Sequence, residues 1–203
     1  ISILLRAIFG GVFIFSGFVK AVDPWGTAYK IEEYIAVFGM NWLTDAISFL
    51  PITLSILLSS LEFMIGVLIF FGFFPKLSKY SAAIIMGFFT ILTFIDALTN
   101  KVDDCGCFGD AIKLTNWETF WKNIVLDVIL VGIFLLERKM ELSVSKVNSK
   151  LLTSIFGVFI IFFSIYSAVY EPVIDFRAWK IGNQMFPVGD DVSSRVSLAK
   201  YKD

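Results

Sequence analysis

The chain has 203 residues, 57% of them hydrophobic, 17% aromatic and only 17% charged, with mean hydropathy +0.80 and a formal net charge of -1. Soluble domains carry about 25% charged residues, so the composition excludes a soluble enzyme core and a disordered chain. The small net charge gives no footprint for nucleic acid. With no His and only two Cys, a Ser-His-Asp triad, His-ligated haem or zinc, and a metal centre closed by cysteines of one chain are excluded as well.

A transmembrane helix needs about 20 mostly apolar residues, and five segments approach that pattern. Ile1 to Val22 carries Arg6 and Lys20. With no basic region before it and no cleavage site after it, this stretch reads as a first span rather than a signal peptide. Asp23-Pro24 then reads as a helix N-cap with Pro at the first helical position. Ile31, Tyr34, Ile35 and Phe38 follow at the spacing of an amphipathic stripe. A short helix in the outer interface is expected there, either packing at the surface or acting as a lid, with Trp25, Tyr29 and Trp42 as headgroup anchors. Leu50 to Phe74 opens with Pro51 and carries one charge, Glu62. Leu77 to Leu98 holds Lys79 and Asp96 near its ends, and Trp117 to Leu136 holds Glu118, Lys122 and Asp127. Leu151 to Tyr170 is uncharged, with Pro172 just beyond. The expected fold is an all-α integral membrane protein embedded in the lipid bilayer. Residues 1–138 form a four-helix transmembrane bundle, 139–170 a cytoplasmic connection and a fifth transmembrane helix, and 171–203 an extracytoplasmic tail.

Lys and Arg concentrate in the connections that stay in the cytoplasm. Phe74–Tyr80, around the start of the third span, holds Lys76 and Lys79 with no acid, and Arg138, Lys139, Lys146 and Lys150 follow the fourth. Both signals give a cytoplasmic N-terminus and place the segment 99–116 outside.

That outer segment contains Asp104-Cys105-Gly106-Cys107-Phe108-Gly109-Asp110, and so both cysteines of the chain. A disulfide stabilises mainly by closing a long loop, and a bridge across one glycine closes almost none. Such a bridge is strained and exposed, and therefore easily reduced. Thiol–disulfide exchange at Cys105 and Cys107 is the leading reading. A permanent small ring that shapes the loop and a pair of inert thiols are the alternatives. Asp103, Asp104 and Asp110 oppose a thiolate while Lys101 and Lys113 favour one.

Glu62 falls near the bilayer midplane, where an unpaired carboxylate costs about 2.5 kcal/mol or more. Lys20 is its expected partner because a Lys stem reaches inward, and Arg6 is the second choice. The pair either fixes helix register or moves a proton beside a redox centre or quinone. Asp96 and Asp127, placed toward the outer ends of their spans, are expected to be solvated or to cap the loop. Asp96 and Asp110 are the candidates for a proton relay. Gly10, Gly11, Gly17, Gly66, Gly72 and Gly87 suit close helix packing.

The run Phe15-Ser16-Gly17-Phe18-Val19-Lys20-Ala21-Val22-Asp23-Pro24, the step Leu61-Glu62-Phe63-Met64-Ile65-Gly66 and the cysteine loop resemble the DoxX-like and methylamine-utilisation MauE membrane proteins. The loop is closest to the MauE branch. The likeness covers roughly Arg6 to Leu136, so the fifth span and the tail depart from it. The resemblance implies a four-helix bundle of the kind used by quinone-linked thiol oxidoreductases. It further implies that Cys105 and Cys107 exchange with a thioredoxin-like periplasmic protein or a secreted client, and that Lys20 and Glu62 form a buried polar pair. A bacterial inner-membrane protein is the expected setting, with quinone as the carrier if electrons cross the bundle. The rival expectation is a non-catalytic subunit that docks partners in an envelope complex.

Overall fold

The computed structural model describes residues 1–99, 102, 114–136 and 146–170. In chain order the helices are α1 (Ser2–Val22), α2 (Pro24–Val37), α3 (Asn41–Ala46), α4 (Leu50–Phe71), α5 (Pro75–Thr99), α6 (Asn116–Leu136) and α7 (Lys146–Val169). Five of them, α1, α4, α5, α6 and most of α7, are long and apolar enough to cross a membrane. Their outward faces carry large apolar side chains such as Ile84, Ile91, Val128 and Phe162, all strongly exposed. A water-soluble surface does not tolerate so much contiguous apolar area, whereas lipid does. The protein is an all-α, multi-pass membrane protein.

The bundle proper is α1, α4, α5 and α6, joined by one core of Phe9, Phe13, Ile65, Ile69, Ala82, Met86, Leu126, Leu130 and Ile133. Without a solvent-driven effect between helices in lipid, close van der Waals approach decides which pairs meet. Helices α1 and α4 are the tightest pair because their glycines interlock. A Cβ on Gly17 would strike the backbone of Phe63 and come within 2.7 Å of Ser59 O, and one on Gly66 would lie 2.6 Å from Ile14 N. Gly10 is closed in the same way, 2.8 Å from Gly66 O. Gly11 and Gly87 do not share this role, since both face open space. Helix α7 packs on the outer side of this pair through a smaller cluster of Ala21, Phe63, Val67 and Ile160, and Ser59 and Ser164 hydroxyls meet there at 3.5 Å.

Helix α4 ends at Phe71, three residues before the expected end of the span. Gly72 takes a left-handed φ of 72°, and Phe73 N–H donates to Leu68 O at 2.8 Å, a Schellman-type closure that glycine alone accepts cheaply. Arg6 lies against Gly72 and donates from Nε to Ile69 O at 2.9 Å. The guanidinium therefore bonds carbonyls in the last turn of α4, Ile69 O and Phe70 O, and opposes its negative dipole end. This is why Arg6 is not the partner of Glu62.

At the opposite end, α2 folds back across the bundle. Asp23 caps it, with Oδ1 accepting from Gly26 N–H at 3.1 Å. Three further bonds fasten it there. Ser55 Oγ donates to Pro24 O at 2.6 Å, Trp25 Nε1 donates to Ala168 O at 3.0 Å, and Tyr34 donates its hydroxyl to Asp96. The helix is thereby tied to α4, α7 and α5. The expected short helix is present, followed by the single turn and a half of α3, while Trp25, Tyr29 and Trp42 remain exposed.

Candidate functional site: a buried ion pair beneath a helical roof

Lys20 and Glu62 meet inside the bundle. Lys20 Nζ donates to Glu62 Oε1 at 2.6 Å and to Oε2 at 2.8 Å, and both side chains are 3% exposed. Ser16 Oγ donates to the same carboxylate at 2.8 Å. Ser16 lies one helical turn before Lys20, so α1 presents both donors on one face. The ammonium also sits over the Phe89 ring, 5.4 Å from its centroid, an attraction that strengthens away from water. The Gly17–Phe63 approach fixes the register of α1 on α4 that makes this pairing possible. Sequence reasoning did not single out Ser16, although its i, i+4 relation to Lys20 was a usable signal.

The pair borders a water-sized cavity of about 20 Å³ shared with Lys122 and Asn123 of α6. Asn123 Nδ2 donates across to Thr93 Oγ1 of α5 at 3.1 Å, and both residues are buried. Polar contacts therefore occur on both sides of this small space, linking α1, α4, α5 and α6 near mid-bundle.

Two carboxylates stand differently from expectation. Asp96 is buried, 4% exposed, and accepts from Tyr34. The reason is tertiary: α2 covers the end of α5 that local sequence would leave to solvent. Asp127 falls near the middle of α6, not its end, and accepts from Thr90 Oγ1 at 2.8 Å. It joins α5 to α6 rather than capping the loop.

Cys105, Cys107 and Asp110 lie outside the described residues. The two feet of their connection are described. Val102 is fully buried, and Asn116 Nδ2 donates to its carbonyl at 2.9 Å. Thr115 and Glu118 cap α6 reciprocally: Thr115 N–H donates to Glu118 Oε2 at 2.9 Å, and Glu118 N–H to Thr115 Oγ1 at 3.3 Å. This capping box satisfies two donors that a helix start leaves open. Val102 and Asn116, which flank the cysteines in sequence, are thus held together by one hydrogen bond.

A family model described as methylamine utilisation protein MauE matches residues 1–136. The chain belongs to the MauE family. The match runs through α1 to α6 and ends with α6, so the four-helix bundle, the roof helix and the cysteine connection fall inside it and α7 falls outside. No curated protein and no solved structure matches the chain. The membership identifies a membrane protein of a family named for methylamine utilisation. It is the bundle of this MauE-family protein that buries Lys20 against Glu62.

Proposed function

We infer that this MauE-family protein exchanges thiols and disulfides through Cys105 and Cys107 with a thioredoxin-like protein or a secreted client. The observation that carries the reading is the Cys105-Gly106-Cys107 sequence itself. Both cysteines of the chain stand one residue apart within the stretch matched by the family. That spacing contributes almost nothing to stability, so chemistry is the better reason for it. The hydrogen bond between Asn116 and Val102 and the cap on α6 support the reading. They tie together the two residues between which the cysteines lie in sequence, next to the start of α6.

In the exchange, the thiolate of one cysteine attacks a sulfur of the partner's disulfide and releases one partner thiolate. A mixed disulfide joins the two proteins. The second cysteine, as thiolate, attacks its neighbour's sulfur in that bond and releases the second partner thiolate. The pair ends oxidised and the partner reduced by two electrons, with two protons passing to the released thiolates; the reverse sequence runs by the same atoms. The setting proposed is the bacterial inner membrane, with the N-terminus cytoplasmic and the cysteines periplasmic, from the distribution of Lys and Arg.

Single replacements test it. Cys105→Ser or Cys107→Ser leaves one thiol that attacks but cannot be resolved. One of the two is expected to accumulate a covalent complex with a discrete partner, seen on non-reducing gels and identified by mass spectrometry. Absence of any reducible complex in both variants refutes the reading.

A further inference from the structure

At the α2 end of the bundle, α4 and α5 are the loosest of the adjacent helix pairs, and α2 spans the gap instead of filling it. A cavity of about 550 Å³ results, within the usual range for a bound organic molecule. The stripe expected to rest on the membrane interface, Ile31, Tyr34, Ile35 and Phe38, is its ceiling, and Leu58 and Leu92 stand in its walls.

The polar side chains around the inner part of this space are turned to other partners. Lys20 Nζ bonds both oxygens of Glu62, and Tyr34 donates its hydroxyl to Asp96. The Thr27 hydroxyl oxygen is closed off within the protein. A ligand with polar groups would bury them here without partners, at high cost. An unfilled space of this size would forfeit the contacts of its lining. Hydrocarbon meets both conditions. The way in gives its source: Phe88, Ile91 and Ile95 border the cavity and are exposed on the bundle's outer face, so the space is continuous with the bilayer interior.

The rim is polar. Lys30 lines the cavity, and its side chain is 22% exposed beside that of Glu33 at 38%, with Nζ and Oε2 3.2 Å apart. A cation and an anion side by side match a head group that carries both charges, with phosphate toward Lys30 and ammonium toward Glu33. A purely anionic head group gains the one and is repelled by the other.

We propose that the cavity holds one acyl chain of a phosphatidylethanolamine-type phospholipid, whose head group sits on the Lys30–Glu33 rim of α2. The site requires binding alone, so it stands or falls separately from thiol exchange at Cys105 and Cys107.

The test uses the full chain in nanodiscs that contain a trace of phosphatidylethanolamine with a diazirine at the end of one acyl chain. Photolysis and peptide mass spectrometry locate the adducts. Ile35, which is only 7% exposed, and Leu58 and Leu92 are expected to be labelled together with the lipid-facing Val128. Leu58→Trp, which fills the cavity, should remove the label from Ile35 and Leu92 and leave it on Val128. Normalised to Val128, cavity labelling should be about two- to fivefold stronger in a phosphatidylglycerol matrix than in one of unlabelled phosphatidylethanolamine, the value of an exposed charge contact. Glu33→Lys should erase that difference, and oleate at the probe's concentration should not displace the label. Thermal unfolding establishes that each variant is folded, and the wild-type labelling pattern decides the site if Leu58→Trp is not. Labelling confined to lipid-facing residues, cavity labelling that survives in folded Leu58→Trp, equal labelling in the two matrices, a difference that persists in Glu33→Lys, or displacement by oleate overturns the proposal.

Discussion

Replacing Lys20 by Met removes the ammonium bonded to both oxygens of the buried Glu62 carboxylate, near the middle of its span. Glu62 would keep Ser16 as a donor, one neutral hydroxyl in place of an ammonium bonded to both oxygens. Breaking a buried ion pair by removing one partner costs about 3–5 kcal/mol. Insertion of a lone charge at mid-bilayer sets a floor of about 2.5 kcal/mol. Lys20→Met is therefore expected to lose about 3–4 kcal/mol of stability. The double replacement Lys20→Met, Glu62→Gln removes both charges and leaves a Gln that Ser16 can still reach. Its cost is expected below about 2 kcal/mol, because a buried pair replaced whole is often nearly neutral. Unfolding titrations of the wild type, both single variants and the double variant in mixed micelles complete a double-mutant cycle. A coupling of about 2 kcal/mol or more is expected. Additivity within about 0.5 kcal/mol, or a Lys20→Met variant as stable as wild type, refutes the view that this pair fixes α1 on α4.

Other outcomes follow from single contacts. Gly17→Ala drives a methyl into the backbone of Phe63 and should cost about 1–3 kcal/mol through overpacking, whereas Gly11→Ala, in open space, should be neutral in the same thermal unfolding assay. Tyr34→Phe leaves Asp96 buried without its donor. It should cost about 1–3 kcal/mol and speed amide exchange across α2, measured by hydrogen–deuterium exchange. Single cysteines introduced into a Cys105→Ser, Cys107→Ser background at Lys79 and at Trp42 should label with an impermeant maleimide only at Trp42 in intact cells. Labelling at Lys79 instead would reverse the topology.

The spans were legible because each is a continuous apolar run whose few charges stand out. The same contrast made the Lys20–Glu62 pairing legible: two charges inside apolar helices are tolerable only together. Arg6 was harder to read, since nothing local reveals that α4 stops at Gly72 and offers its carbonyls at that level. Asp96 misled for a related reason. Its place near a helix end suggests solvent, and only the return of α2 over the bundle buries it. The stripe on α2 was visible, but not what it faces. An apolar face at helical spacing serves lipid, core or cavity equally well, and here the loose α4–α5 flank decides. Gly11 and Gly87 match the glycines that interlock α1 and α4 in kind, and differ only in having no helix opposite.

The central claim is that Cys105 and Cys107 cycle between thiol and disulfide. Acid-trapped alkylation in native membranes, before and after mild reductant, reads this directly. A pair found partly oxidised at rest, fully alkylated after reductant, and oxidised again when reductant is withdrawn is the result expected. A pair that stays oxidised throughout, or reduced throughout, contradicts the account and leaves the docking role of a membrane subunit as the reading to pursue.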